Sequence, residues 1–434
     1  MRLFLDITRI ATRIIRATPT GIDRTEFAYA REILFNRPDI QTTPVLTTPW
    51  FSGAITAGLA RKVLAQVETS WQAPSTVADD LAFARLLPEL QSKPDTSRTQ
   101  SARIQGRPPA QVVRQGIMFP IGELASATAR LSTELASLKG TPAAYVHTSH
   151  TQLEHTRRFA WTQGKVKSVF FLHDVIPIDY PEYCSPGAAP RHLGRLKTVS
   201  ELAELILVNS QYTADRTRHW LRRLGWREPR IDVVPLGVED AFLTPQHGTL
   251  PPVERPYFVY VGTIEPRKNL AFLLAVWRQL AEQCGEATPR LLLVGRRGWE
   301  NESVVDLLER SARLAPYVIE VSGLTDHGLM TLLRGSAGLV SPSYVEGFGL
   351  PLIEAAALGT PLIVSDIPAH REVASQGATF IDPNDGPAWI KALQHGATHP
   401  RTAIGNQHQT LRTWPQHVSE ALASVRLLHT QPLG

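Results

Sequence analysis

The sequence predicts an α/β protein of two doubly wound parallel-sheet domains facing each other across a cleft. Three observations carry that prediction. In the second half of the 434-residue chain, short apolar runs and amphipathic segments alternate strictly, the pattern of right-handed βαβ units. The first half repeats the alternation more loosely. Between the halves, the proline-rich stretch LTPQHGTLPPVERP (243–256) reads as an interdomain linker. Sheets of this kind bind ligands beyond the carboxyl ends of their strands, so two facing sheets put a site in the cleft.

In chain order, the first half offers strands at Arg2–Ile7, Ile40–Leu46, Ala143–Thr148, Lys167–Leu172, Leu205–Ser210 and Arg230–Leu236. Ile22–Phe35 and Gln211–Leu224 carry helical periodicity. Residues 91–116 are polar and rich in Ser, Arg and Pro, and predict a long exposed loop. Beyond the linker, strands are expected at Tyr257–Thr263, Arg290–Gly295, Val318–Gly323, Gly338–Ser343 and Pro361–Asp366. Helices are expected at Arg267–Glu282, Glu302–Ala315, Asp326–Ser336 and Pro351–Leu358. The domains predicted are 1–243, a linker at 244–256, 257–413, and an amphipathic C-terminal helix within 414–434.

Composition narrows the function classes. With 45 basic and 40 acidic residues, the net charge of +5 is mild and scattered. It suits an anionic ligand or an anionic membrane surface, or solubility alone, and does not argue for nucleic acid. Two distant cysteines, Cys184 and Cys284, argue against a disulfide framework and against a thiolate zinc site. The N-terminal stretch MRLFLDITRIATRIIR is broken by Asp6, Arg9 and Arg13, so it lacks the apolar core of a signal peptide.

The most specific stretch is YVEGFGLPLIEAAALGTPLIVSD (344–366). Gly347 and Gly349 let backbone approach a ligand, and Pro351 suits a first helical turn. A helix start carries about half a positive charge and unpaired N–H groups, which favours an anion. Glu346 has no packing role between a buried strand and a glycine turn. Together the helix start and the carboxylates Glu346 and Glu354 call for a ligand with both anionic and hydroxyl groups. Arg267 and Lys268 follow a strand beside Gly262 and can neutralise a diphosphate. His173 and Asp174 follow the strand Lys167–Leu172 and project toward the cleft. The tyrosines and prolines that follow shape either an acceptor surface or a plain loop. His147 and His150 read as a strand–loop junction, and His370 and Arg371 as surface residues. There is no D-x-D on a candidate metal-binding loop and no H-E-x-x-H, so no metal is expected.

EGFGLPLIEA resembles the E-x7-E motif of retaining glycosyltransferases of family 4, which have the two-Rossmann GT-B fold. GTIEPRKNL (262–270), LLLVGRRGW (291–299), VNSQYT (208–213) and VVPLGV (233–238) resemble other segments of that family, in its order. The resemblance implies a metal-independent hexosyltransferase with no cofactor. The donor would be a GDP- or UDP-linked sugar. Its diphosphate would lie at Phe348, Gly349 and Leu350, with Arg267, Lys268, Gly262, Gly295 and Gly347 around it. Glu346 would hold hydroxyls of the transferred sugar and Glu354 the ribose. Gly21, in a glycine turn after the first strand, would approach the donor phosphate. His173 would orient the sugar's 6-hydroxyl and stabilise developing charge. The last helix, marked by Trp414, would cross back to the first domain.

The acceptor would be a saccharide or polyprenyl-linked saccharide used in surface polysaccharide assembly, with the enzyme cytoplasmic or peripheral at the inner face of the membrane. No acceptor-binding residue is assigned from the sequence; Asp23 and Arg24 are either acceptor contacts or ordinary first-turn charges. A GT-B sugar-nucleotide epimerase, a non-catalytic nucleotide-sugar-binding protein and a membrane-recruited scaffold are the alternative readings.

Overall fold

Strands that are apolar along their whole length bury both faces and need helices on each side. The computed structural model describes residues 1–13, 19–71, 80–106, 121–244, 250–374, 377–399 and 411–430, and meets this requirement twice. Among these residues the strands are β1 (Arg2–Asp6), β2 (Gln41–Thr47), β3 (Ser52–Ala54), β4 (Ala102–Gln105), β5 (Ala143–His147), β6 (Lys167–Leu172), β7 (Leu205–Val208), β8 (Arg230–Val233), β9 (Tyr257–Val261), β10 (Arg290–Val294), β11 (Val318–Ser322), β12 (Gly338–Ser341), β13 (Leu362–Ser365) and β14 (Thr379–Ile381). The N-terminal sheet runs β3-β2-β1-β5-β6-β7-β8, with only β3 antiparallel. The C-terminal sheet runs β14-β13-β12-β9-β10-β11-β4 and is parallel throughout. These are two Rossmann-like domains.

One expectation is overturned. Residues 91–116 do not form an exposed loop within the first domain. Ala102–Gln105 is β4, the edge strand of the C-terminal sheet, paired in register from Ile319↔Ala102 to Ser322↔Gln105. Its single large apolar residue, Ile104, is buried, while Arg103 and Gln105 face outward. An edge strand with one apolar residue carries no strand signature of its own. Residues 107–116 lie outside the described residues.

The helix Leu81–Gln91 leads into this strand and packs on β4 and β11. Buried Asp80 fixes its start twice over. One carboxylate oxygen accepts from Phe83 N–H at 3.0 Å, capping the helix, and the other accepts from Thr325 N–H at 2.7 Å, at the head of the helix Asp326–Gly335. Ser92 and Ser101 hold the turn between helix and strand. The Ser92 carbonyl accepts from Arg290 at 2.7 Å, and Ser101 N–H donates to the Leu308 carbonyl at 2.8 Å. Residues 80–106 therefore form an arm that leaves the first domain and completes the second.

The chain crosses in the other direction at its end. Thr413 and Gln416 form a capping box that starts the helix Trp414–Leu427. Trp414 is buried, His417 Nδ1–H donates to the Pro235 carbonyl at 2.8 Å, and Arg426 pairs with Asp39 at 2.9 Å. All these partners lie in the N-terminal half. No helix among the described residues is long and apolar enough to cross a membrane.

Candidate active site between the domains

β12 ends at Ser341, and the segment that follows turns at Gly349 into the helix Leu350–Ala357. Gly349 is the N-cap residue with φ 107° and ψ 54°, a left-handed conformation that a side chain would strain. The turn is pressed against the first domain. The Gly347 carbonyl accepts from Ser210 Oγ at 2.7 Å and Thr213 Oγ1 at 3.3 Å. A Cβ at Gly347 would stand 2.6 Å from the His173 carbonyl oxygen, so only glycine allows this approach. A Cβ at Gly21 would come within 3.3 Å of Leu350 Cδ1, which puts the first domain's glycine turn beside the same helix start.

Arg267 and Lys268 were expected to open the helix after β9. Instead they occupy a separate 3-10 turn, Pro266–Lys268, and left-handed Asn269 (φ 57°) divides it from the helix Leu270–Cys284. Asn269 anchors that break by donating to the carbonyls of Pro342 and Pro383 at 3.1 and 2.9 Å. The turn aims both cations at Glu346. Arg267 pairs with Glu346 at 2.5 Å and with Glu265 at 2.6 Å; Lys268 pairs with Glu346, which also accepts from Ser343 Oγ at 2.8 Å. Burial alone would raise the pKa of Glu346, but the neighbouring guanidinium and ammonium hold it far below the usual carboxylate range. Burial is the first influence on Lys268 and lowers its pKa. The arrangement is a nearly dry cluster of two cations and two carboxylates at the mouth of a helix N-terminus.

Around it, a Cβ at Gly295 would stand 1.9 Å from the Gly262 carbonyl oxygen, so the ends of β9 and β10 touch backbone to backbone. Glu354 is buried one turn into the helix. Burial pushes its pKa up to about 7, against the pull of Arg24, whose guanidinium lies 3.6 Å away. Arg24 comes from the first domain and also pairs with Asp326 at 2.7 Å. Asp23 instead turns inward, pairing with Arg9 at 2.6 Å and completing the Thr20 capping box.

Residues 246–397 match the family described as glycosyl transferases group 1. The C-terminal domain belongs to that family. With its two Rossmann-like domains, the chain is a GT-B protein. It is 28% identical over 280 residues to the serotype-specific mannosyltransferase WbdA of Escherichia coli, across 60% of this chain. The match spans 33% of the length of WbdA. It is 28% identical over 307 residues to the O-antigen chain mannosyltransferase B of Escherichia coli, covering 64% of this chain and 79% of that one. The crystal structure of Anabaena Alr3699/HepE in complex with UDP-glucose superimposes with a TM-score of 0.59 at 15% identity, covering 98% of this chain and 100% of that one.

His173 faces the group 1 domain from the end of β6. Its Nε2–H donates to the Thr148 carbonyl at 2.8 Å, which leaves Nδ1 as an acceptor. Burial lowers its pKa to about 4, so the ring is neutral at pH 7 and a poor proton carrier there. That state suits accepting a hydrogen bond from a hydroxyl. His147 and His150 are buried in the first domain, and no group of three or more possible metal ligands occurs among the described residues.

The sequence reading of His370 is also corrected. It is not a surface residue: it is fully buried in the group 1 domain, with its ring beside Gly349, where a Cβ would meet His370 Cδ2 at 3.7 Å. Nδ1–H donates to the Ser365 carbonyl at 3.0 Å, and burial lowers the pKa to about 4. Arg371 does lie at the surface, paired with Asp366. Glu265, the second carboxylate on Arg267, had no signal beyond its place in GTIEPRKNL. His370 could have been suspected only from its position after β13, at the same sheet end as the site.

These buried histidines predict acid sensitivity. His173, His370 and His417 are held near 4, His192 near 3, and His150 well below 6.5, in each case chiefly by burial. Each stays neutral when folded but takes a proton once unfolded below about 6.5. Their stability contribution is complete above that pH and falls as the pH drops toward 4, by up to about 1.4 kcal/mol per pH unit for each group. Glu26 and Glu354, raised to about 7 by burial, oppose this between about pH 7 and 4.5 but are fewer. Thermal melts should show a marked fall in Tm between pH 7.5 and pH 5; a flat profile would refute the burial of neutral imidazoles.

Proposed function

We propose that the protein is a retaining hexosyltransferase that moves a mannose- or glucose-type sugar from a nucleotide-diphosphate donor to a saccharide or lipid-linked saccharide. The observation that carries this reading is the Arg267–Lys268–Glu346 cluster lying beside the start of the helix Leu350–Ala357. Without a ligand, the carboxylates neutralise the cations. An arriving diphosphate takes over Arg267 and Lys268 and docks on the amides of Phe348, Gly349 and Leu350. Glu346, released, accepts hydrogen bonds from the donor sugar's hydroxyls. Charge-assisted bonds of this kind are roughly twice as strong as neutral ones. Glu354 takes the ribose, displacing Arg24.

In the transfer, the acceptor hydroxyl oxygen bonds to the anomeric carbon on the face the diphosphate leaves. The bond from that carbon to the diphosphate oxygen breaks, and the same oxygen takes the hydroxyl proton. Arg267, Lys268 and the helix start stabilise the charge growing on the leaving group, so this chain's own cations fill the role a metal has elsewhere. Neutral His173 orients a sugar hydroxyl through Nδ1. The kinship with O-antigen mannosyltransferases supports a surface-polysaccharide acceptor.

Thermal melts against GDP-mannose, UDP-glucose and their free nucleotides test the donor half of the proposal. A donor at a hundredfold excess over Kd should stabilise the fold by about 2.7 kcal/mol. That shift should vanish in Arg267→Ala. If no nucleotide raises the Tm, the donor site is misread. NMR of the product then tests retention; an inverted anomeric configuration would sink that part.

A further inference from the structure

A second chamber opens beside Glu346, on the side away from Arg24 and Glu354. It has a volume of about 320 Å³ and is walled from both domains: Asp179, Tyr180, Tyr212 and Arg216 from the first, Tyr344 and the segment Ile367–Ala369 from the second. Small-ligand pockets run from roughly 300 to 1,000 Å³.

Its chemistry is specific. Tyr183 stacks on Tyr344 across the domain boundary, with ring centroids 5.1 Å apart and planes within 6°, and Tyr180 stacks on Tyr183 at 6.1 Å and 17°. These tyrosines are half-buried, so the stack is rigid yet open to the chamber. The polar rim is equally fixed. The carboxylate of Asp179 accepts from Arg216 Nη2 and Trp220 Nε1, both at 2.6 Å, and from Arg216 Nε at 2.9 Å. The inner end is the carboxylate residue Glu346 itself. Aromatic faces with a fixed carboxylate and guanidinium at the edge suit a pyranose ring, which is apolar on its C–H faces and ringed by hydroxyls. A phosphate has no cation free to meet it here, because Arg216 is already held by Asp179.

We propose that this chamber seats the acceptor saccharide, with the receiving hydroxyl at the Glu346 end. The inference rests on the transferase reading above and deepens it. The donor approaches from the Arg267 and helix side of Glu346 and the acceptor from the tyrosine side. Because the walls come from both domains, the seat exists only when the domains are together as they are here.

The test uses the full chain and a panel of methyl glycosides of common hexoses as probes, followed by saturation-transfer NMR in the presence of the preferred nucleotide. Wild type is expected to bind at least one glycoside. Tyr344→Ala and Tyr180→Ala should each weaken that binding by about tenfold or more, while nucleotide affinity stays within about twofold. Tyr344→Phe, which keeps the aromatic face, should retain glycoside binding. If nucleotides bind but no glycoside does, or if the alanine variants bind glycosides as wild type does, the chamber is not an acceptor seat. If nucleotide affinity falls in step with glycoside binding, the chamber belongs to the donor and the inference is wrong. If no nucleotide binds wild type, the failure lies with the transferase reading instead.

Discussion

Glu346→Ala will melt well below the wild-type protein in the absence of ligand, and nucleotide diphosphate will recover more of its stability than it adds to wild type. The carboxylate is buried and binds Arg267, Lys268 and Ser343. Removing it strands the Lys268 ammonium in a dry site, while Arg267 keeps only Glu265. Breaking a buried pair in this way costs about 3–5 kcal/mol, a large share of the 5–15 kcal/mol that holds a typical domain. A diphosphate supplies the missing anion, so the cost is refunded on binding. Transfer to a saccharide should fall by about 10²–10³-fold despite tight nucleotide binding, because the lost group acts on the sugar. Melting curves with and without GDP or UDP, alongside a transfer assay, check all three outcomes. A ligand-free variant that melts with wild type would show that the cluster is not the buried charge network described.

The second large effect concerns the arm. A fragment of residues 244–413 will not fold cooperatively by itself, whereas the same fragment joined to residues 80–106 will. The arm brings Phe83, Leu86, Leu90 and Ile104, each buried, and the double cap of Asp80. Burying side chains of this kind stabilises by roughly 1.5–3 kcal/mol each, so the set contributes on the order of 6–12 kcal/mol, comparable with the whole stability of a domain. Without it β11 becomes an open edge, a site for pairing with other chains. Circular dichroism and size-exclusion chromatography distinguish the two fragments. A sharp melt of 244–413 alone, at the Tm of the intact protein, would overturn the prediction.

What could be read in advance followed the locality of the signal. β6 was legible to the residue because Lys167–Leu172 is one unbroken apolar run. The parallel strands of both halves were placed within a few residues for the same reason. β3, β4 and β14 went unread: each is three or four residues long and lies at a sheet edge, where one face needs no apolar cover. Helices such as Ala57–Trp71 and Ala188–Leu202 were missed, since their periodicity is diluted by small and polar residues.

At the site, the glycine turn and the helix after it were legible because Gly347 to Pro351 encode their own geometry. The cations were legible by position, but not the break at Asn269, which depends on carbonyls of Pro342 and Pro383 more than 70 residues away. Burial of His370 and the second pairing of Arg267 with Glu265 depend on tertiary packing, and no local pattern announces either.

The placement of β4 has a consequence for how the molecule is made. The ribosome releases Gln105 roughly 200 residues ahead of the strand it must join, a wait on the order of 10–40 s at about 5–20 residues per second. During that interval the nascent chain carries an unmated ribbon and its greasy helix, while the first sheet can already condense around them. Chaperone demand during translation should therefore peak before the linker emerges and subside only once β11 clears the exit tunnel.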